Sequence, residues 1–242
     1  MNRFIAAFAF LGTICIQVYA GSPKIVQDDG PSDKIWLETG FGINFFGPAK
    51  QMAKLMIESD FDETSTSWLF GGTTEHPHYS VVGPSVQISF HYHLGQISRL
   101  GLRVYYSGIS EVMGYHVTGT YLFVKFTNFS IAPLYTLKLG KSFEFETGPA
   151  LMINIGNRSD ANFNQPESNF TKLSPALLTD ISLLIWNATY VYGKLSSQLL
   201  LTYKNTMGPY TAVAWDGSNL EIPESRIGFS HMNCMFVLGV HF

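Results

Sequence analysis

The chain has 242 residues, a formal net charge of -3 at pH 7, and 14% charged against 46% hydrophobic residues. Soluble domains carry about 25% charged residues, so this composition is typical of a membrane protein. We expect no nucleic-acid partner, because the sequence has no basic run that could neutralise a row of phosphates. Beyond the N-terminus no stretch approaches the ~18 consecutive apolar residues of a spanning helix, which leaves a closed β-barrel.

The N-terminus predicts export. Residues 1–20 combine a basic start, an apolar run over 4–18 and a cleavage site of small residues, which is the pattern of a signal peptide. A retained anchor is disfavoured because the run is short for a spanning helix. We therefore expect a periplasmic segment over 21–34 and a barrel over 35–242. Cys234 is then the one cysteine of the mature chain, which excludes an intrachain disulfide.

Eight stretches of roughly ten residues alternate between apolar and polar, as expected for tilted strands that cross a bilayer. In chain order they cover residues 35–45, 82–94, 99–107, 119–139, 143–155, 177–192, 195–204 and 231–242. The fourth changes phase near 125–128, which indicates a β-bulge or a strand that extends beyond the membrane. The phase of the sixth is ambiguous. An even number of strands predicts that both termini lie in the periplasm.

The connections alternate in length, as they do in outer-membrane barrels with short periplasmic turns and long outward loops. The short ones are 95–98, 140–142 and 193–194. The long ones are 46–80, 108–118, 156–175 and 205–226. Within the first long loop, Met52, Leu55 and Met56 at helical spacing predict a short amphipathic helix over 48–57 that packs on the barrel rim.

Side-chain size predicts which face meets lipid. The polar phase is crowded with small residues such as Gly40, Ser85 and Ser196, which suit the narrow lumen of an eight-stranded barrel. The opposite phase is almost entirely Leu, Ile, Val and Phe, too bulky for that lumen. A soluble lipocalin-like barrel would turn such residues inward. We therefore predict an antiparallel up-and-down transmembrane β-barrel with the apolar phase outward.

Charged residues of the inward phase fall toward the periplasmic half of the barrel. The predicted lumen network comprises Glu38, His91, His93, Arg99, Arg103, Lys138, Glu144 and Glu146, with His241 beside it. Opposite charges in a confined lumen should pair, since an unpaired buried charge is costly. Our hypothesis is that this network closes the pore. A proton- or ligand-gated channel is the functional alternative.

At this point the chain resembles the small eight-stranded outer-membrane proteins, the OmpA-transmembrane-domain, OmpX and OmpW-like group, and the families called outer membrane protein beta-barrel domain. The resemblance covers about residues 35–242. It rests on the topology and on the closing alternation of Phe236, Leu238, Val240 and Phe242. The C-terminal aromatic Phe242 looks like the signal read by the barrel-assembly machinery. The resemblance implies insertion by that machinery and a monomeric barrel in outer-membrane lipid, but no single activity.

Two motifs could carry chemistry. His78-Tyr79-Ser80 is similar to the His-x-Ser element of lipid A deacylases, but Val81 follows and no acidic partner is evident, so we interpret the match as coincidence. His91 and His93 could offer two imidazoles to a metal. No third ligand lies nearby in sequence, so hydrogen bonding in the lumen is favoured, and we predict no metal, cofactor or catalytic residue.

The predicted function is that of a non-enzymatic barrel whose long loops contact a host surface, a partner protein or the cell envelope itself. One alternative is a porin-like or OmpW-like barrel that passes small hydrophobic molecules; an unplugged apolar lumen would favour it. The other is a lipid-modifying enzyme, which would require a Ser, a His and an acidic group within hydrogen-bond reach near the outer rim.

Overall fold

The structure, a computed structural model, describes residues 35–45, 47–66, 72–94, 97–160, 168–214 and 216–241. The predicted signal peptide, the segment over 21–34 and the predicted assembly signal Phe242 lie outside the described residues. In chain order the elements are β1 (Ile35–Phe45), α1 (Ala49–Ile57), β2 (Ser65–Thr66), β3 (Thr73–Thr74), β4 (His78–Ser80), β5 (Val82–His93), β6 (Ser98–Tyr115), β7 (Tyr121–Leu139), β8 (Phe143–Asp160), β9 (Ser168–Asn187), β10 (Val191–Thr202), β11 (Asn205–Met207), β12 (Tyr210–Val213), β13 (Asn219–Ile222), β14 (Ser225–Ile227) and β15 (His231–His241).

Eight of these strands form a closed antiparallel barrel. They are β1, β5, β6, β7, β8, β9, β10 and β15, and β15 pairs back onto β1. A path of paired residues that leaves β1 at Ile35 crosses all eight strands and returns to β1 at Phe45, ten residues further along. This stagger tilts the strands by about 40° and leaves a lumen that side chains fill. The predicted fold class is confirmed.

The two faces of the barrel have the predicted orientation. Large apolar side chains cover the exterior, where Phe41 is 59% and Ile88 57% exposed. The opposite phase points into the lumen and is buried, as Gln87 and Ser89 show. Such an exterior is stable only against hydrocarbon, since water contact with so much apolar surface is unfavourable.

The strands β6 to β9 are 18 to 20 residues long. A bilayer requires only about 9–11 residues of a tilted strand, so these four extend beyond the membrane at their loop ends. The predicted loops over 108–118 and 156–175 were therefore wrong, because most of those residues continue the ladder. Strand β7 alternates without a phase change. The irregularity lies in β6, between Ser107 and Ser110.

The predicted turn at 193–194 was also wrong. Gly193 and Lys194 belong to β10, and the turn lies at 188–190, where the Ala188 N–H donates to the Val191 carbonyl at 2.8 Å. Because the observed turn comes earlier in the chain than the predicted one, Lys194 lies in the lumen instead of at the membrane surface. The ambiguous phase of the sixth strand is resolved as well, because Asp180 of β9 is buried in the lumen.

A folded cap stands on the loop end of the barrel. We define it as the described residues 47–66, 72–80, 110–128, 152–160, 168–174 and 203–230. Its wall is the protruding half-cylinder of β6 to β9; α1 and the ladders β11–β14 and β12–β13 close the side where β10, β15 and β1 stop. Within the described residues, no helix is long and apolar enough to cross a membrane.

The predicted helix over 48–57 is confirmed as α1, and its buried face packs into the apolar core of the cap. That core includes Met52, Met56, Phe61, Val112, Leu122, Phe126, Ile222, Ile227 and Phe229. The Gln51 side chain fastens α1 to the last long loop, since it donates to the Gly228 carbonyl at 3.1 Å and accepts from the Gly228 N–H at 3.0 Å. The cap is therefore a packed unit.

Candidate functional site in the barrel lumen

The centre of the lumen site is Arg103 of β6, which is fully buried. Its guanidinium donates to the Glu146 carboxylate, to Asp180 Oδ2 at 2.7 Å and to Ser89 Oγ at 2.8 Å. These partners belong to β8, β9 and β5. One cation thus links four strands across the lumen, because the three nitrogens of the planar guanidinium each donate to a different residue.

A second cation, Lys194 of β10, lies on the periplasmic side of Arg103 and is also buried. Its Nζ is 2.7 Å from Glu38 Oε1, 3.3 Å from Glu144 Oε2 and 3.6 Å from Glu146 Oε1. Arg99 completes the set with Glu144, at 2.5 Å. Because Glu38, Glu144 and Glu146 each contact two cations, removal of one side chain affects the whole cluster.

The charges of this lumen cluster nearly balance. Its nine members are the cations Arg99, Arg103 and Lys194, the carboxylates Glu38, Glu144, Glu146 and Asp180, and the side chains of His91 and Tyr192. Three positive charges oppose four negative ones. His91 lies beside the excess, with Nε2 3.3 Å from Glu38 Oε2 and 4.0 Å from Glu146 Oε1. The Tyr192 hydroxyl donates to Glu38 Oε1 at 2.6 Å, which further stabilises this carboxylate.

The structure brings six of the eight predicted network residues into the cluster, and the other two lie below it. The six are Glu38, His91, Arg99, Arg103, Glu144 and Glu146. Below them, the ring of His93 lies 4.8 Å from that of Trp36, and Lys138 Nζ lies 5.1 Å from the same ring. The Arg99 guanidinium stacks over Trp36 at 4.5 Å. Trp36 therefore covers the periplasmic mouth. The side chain of His241 lies outside the described structure.

Sequence reasoning missed three members of the cluster: Asp180, Tyr192 and Lys194. For two of them the sequence did carry a signal, because they occupy the same alternating positions as other lumen-facing polar residues. Asp180 shares the even-numbered phase of β9 with Ser174 and Ser182, and Lys194 shares that of β10 with Ser196 and Gln198. The misplaced turn at 193–194 concealed the second pattern.

Polar side chains fill the lumen above the cluster. Gln198 donates to the Gln87 amide oxygen, and the Tyr105 hydroxyl donates to the Asn233 side chain and lies 3.3 Å from His231 Nε2. These bonds join opposite walls of the barrel. The lumen is therefore occupied by protein for several layers.

The cluster contains a possible metal-ligand set that its own cations already neutralise. Glu38, His91 and Glu146 offer three ligand atoms within 4.8 Å of one another. However, Lys194 contacts both carboxylates and Arg103 bonds to Glu146. A divalent cation would therefore meet two fixed positive charges, and we assign the set to ion pairing.

Comparison with known proteins shows similarity in fold alone. No protein-family model and no curated protein matches the chain. Among solved structures it is similar to Ail, the attachment invasion locus protein of Yersinia pestis, with 7% identity over 88% of this chain and 100% of that one and a TM-score of 0.44. It is also similar to OprG from Pseudomonas aeruginosa, with 11% identity over 87% of this chain and 96% of that one and a TM-score of 0.47. A third similar structure is the outer membrane protease OmpT from Escherichia coli, with 8% identity over 90% of this chain and 99% of that one and a TM-score of 0.38.

None of these structural similarities assigns a function to this chain. The class of the protein follows from its own architecture. The eight wall strands pair with one another around a closed barrel, its exterior is apolar, and its lumen is polar and ion-paired. These are the properties of barrels in the outer membrane of Gram-negative bacteria, and the chain is such an outer-membrane β-barrel protein.

Proposed function

We propose that this protein is a closed barrel that conducts no ions and that supports the cap as a surface for contact outside the cell. The observation that carries the proposal is the lumen cluster, which joins residues of β1, β5, β6, β8, β9 and β10. An ion that crossed the lumen would have to separate these pairs. Breaking a buried pair exposes uncompensated charge, so the closed state is favoured.

The cap supplies the contact surface. Its apolar core and the double hydrogen bond between Gln51 and Gly228 hold α1 in place. On the outer face of this helix Lys50, Lys54 and Glu58 are exposed. A packed surface loses little conformational entropy when it binds, which suits recognition of a partner. We further propose that the barrel is a monomer in outer-membrane lipid and is inserted by the barrel-assembly machinery.

Planar-bilayer conductance of the refolded full chain tests the closed lumen. We expect no steady channel from the native protein. As a positive control, Arg103, Glu146 and Asp180 are replaced together by Ser, which empties the centre of the cluster and leaves two cations against two carboxylates; this variant should open. Replacing the exposed pair Lys54 and Glu58 by Ser should change nothing. Steady ohmic current from the native protein would refute the proposal.

A seam in the barrel wall favours a second candidate, the passage of small hydrophobic molecules into the lumen from the side. The ladder between β9 and β10 ends at the pair Ala176 and Thr202. Beyond it, the Asn205 side-chain amide donates to Ser174 Oγ. A groove of 310 Å³ lies at this point on the exterior, lined by Pro175, Ala176, Leu177, Leu201, Thr202 and Tyr203.

The interior behind this seam is apolar, because Leu178 and Leu200 point inward there. It is filled by these side chains, whereas an open apolar lumen was the feature expected of a transporter. Uptake of a small fluorescent hydrocarbon by proteoliposomes tests the candidate. Ala176→Phe would obstruct the groove, whereas Leu195→Phe changes the wall elsewhere. Faster uptake than in empty vesicles, lost only in Ala176→Phe, would support passage; equal uptake by all samples would exclude it.

A further inference from the structure

The cap contains a hydrogen-bonded serine and histidine that the proposed function does not use. Ser65 lies in β2, and His76 follows β3, the strand paired with β2. Ser65 Oγ is 2.8 Å from His76 Nε2. The two residues are eleven positions apart, and neither belongs to the His78-Tyr79-Ser80 motif.

The surroundings determine which ring nitrogen of His76 carries the proton. Nδ1 lies 3.3 Å from the Met113 carbonyl oxygen of β6, and a carbonyl can only accept a hydrogen bond. The proton of the neutral imidazole therefore resides on Nδ1. Nε2 then presents a lone pair, so the Ser65 hydroxyl must donate to it. This is the arrangement of a general base beside a nucleophilic hydroxyl.

His76 is more deeply buried than Ser65. His76 is 7% exposed, and its ring centroid lies 5.8 Å from that of Tyr115 and 6.0 Å from that of Tyr121. Two aromatic walls and a backbone carbonyl thus hold the imidazole in one orientation. Ser65 is less deeply buried and belongs to the half-exposed residues of the cap.

We propose that Ser65 and His76 form a nucleophile and general-base pair that hydrolyses activated carboxylic esters at the outer surface of the cap. Ser65 Oγ would bond to the ester carbonyl carbon while its proton moves to His76 Nε2. The carbon–oxygen bond to the alcohol then breaks, and the imidazolium returns the proton to the leaving oxygen. Water, activated by the same imidazole, would release the acid and regenerate Ser65.

The chemistry of the pair limits the substrate class. The Met113 carbonyl orients His76 but carries no full negative charge, so it stabilises the imidazolium less than the carboxylate of a triad does. The reaction therefore requires a good leaving group. This inference goes beyond the proposed function and departs from the expectation of a protein without enzymatic activity. A closed lumen is compatible with either outcome.

The test is covalent labelling of the refolded full chain in vesicles with a fluorophosphonate probe, followed by peptide mass spectrometry, with hydrolysis of p-nitrophenyl butyrate measured in parallel. We expect the label on Ser65, and its loss in Ser65→Ala. His76→Gln should slow labelling and ester hydrolysis by about 100-fold or more, the usual contribution of a general base.

The motif at His78 and Ser80 provides matched controls in the same region of the cap. His78 is exposed, and Ser80 Oγ donates to the Val82 carbonyl at 3.0 Å. His78→Gln and Ser80→Ala should therefore label like the native chain. Heat-modified mobility on gels checks that each variant forms the barrel. The inference is overturned if the folded native chain takes no label, or if the label resides on a residue other than Ser65.

Discussion

Replacement of Arg103 by Met tests the energetics of the lumen cluster most directly. The change keeps most of the side-chain volume but removes the cation that bonds to Glu146, Asp180 and Ser89. Two carboxylates then remain buried without their principal partner. Removal of one member of a buried pair costs about 3–5 kcal/mol, so we expect the unfolding equilibrium to shift by roughly 150- to 5,000-fold.

Equilibrium unfolding in urea, followed by tryptophan fluorescence of the barrel in lipid vesicles, measures this free energy. The combined variant Arg103→Met, Glu146→Gln, Asp180→Asn removes the uncompensated charges and should recover at least half of the lost stability. The exposed pair of Lys54 and Glu58, 3.6 Å apart with the two side chains 79% and 53% exposed, supplies the control. Lys54→Met should cost less than about 1 kcal/mol.

Two results would contradict this reasoning. If Arg103→Met costs no more than Lys54→Met, the cluster is not energetically coupled to the fold. If the combined variant is less stable than Arg103→Met alone, the loss comes from hydrogen bonding or packing and not from uncompensated charge.

Three further variants address the cap and the wall. Phe229→Ala removes a ring with no exposed surface from the cap core, and we expect a loss of about 3–5 kcal/mol, read as faster proteolysis of the cap. A Cβ at Gly148 would collide with the Pro133 carbonyl oxygen, whereas one at Gly72 meets no described atom within 4 Å, so only Gly148→Ala should lower the yield of folded barrel on gels. Burial raises the pKa of Tyr210 from 10.0 to about 12, so the neutral phenol is favoured in the folded cap. Protease protection should therefore fall as pH rises from 10 toward 12, and Tyr210→Phe should remove this component; an unchanged pH profile would contradict it.

Much of the barrel could be predicted because period-two alternation is a local property. The side chains of a strand between lipid and lumen must alternate, and each strand carries that record within its own ten residues. The starts of β1, β5 and β15 were therefore predicted to the residue. The protruding ends of strands carry a weaker signal, because no hydrocarbon borders their outer face. For this reason the outer parts of β6, β8 and β9 were assigned to loops.

The candidate site divides in the same way. Six cluster members were predicted from phase and depth alone, whereas Lys194 was missed because Gly193 and Lys194 also fit a turn. The pair of Ser65 and His76 left no recognisable pattern, since its geometry depends on a carbonyl of β6 and on two tyrosine rings at the far hairpin.

The amino-acid sequence by itself determined the strand alternation, the outward direction of the apolar face and the types of charge in the lumen, because each depends on neighbouring residues and on the solvent that a side chain meets. Only the tertiary structure decided which carboxylate pairs with which cation, where the wall has its seam and how the cap closes. Those features depend on the ten-residue stagger, which brings distant residues to the same level around the barrel.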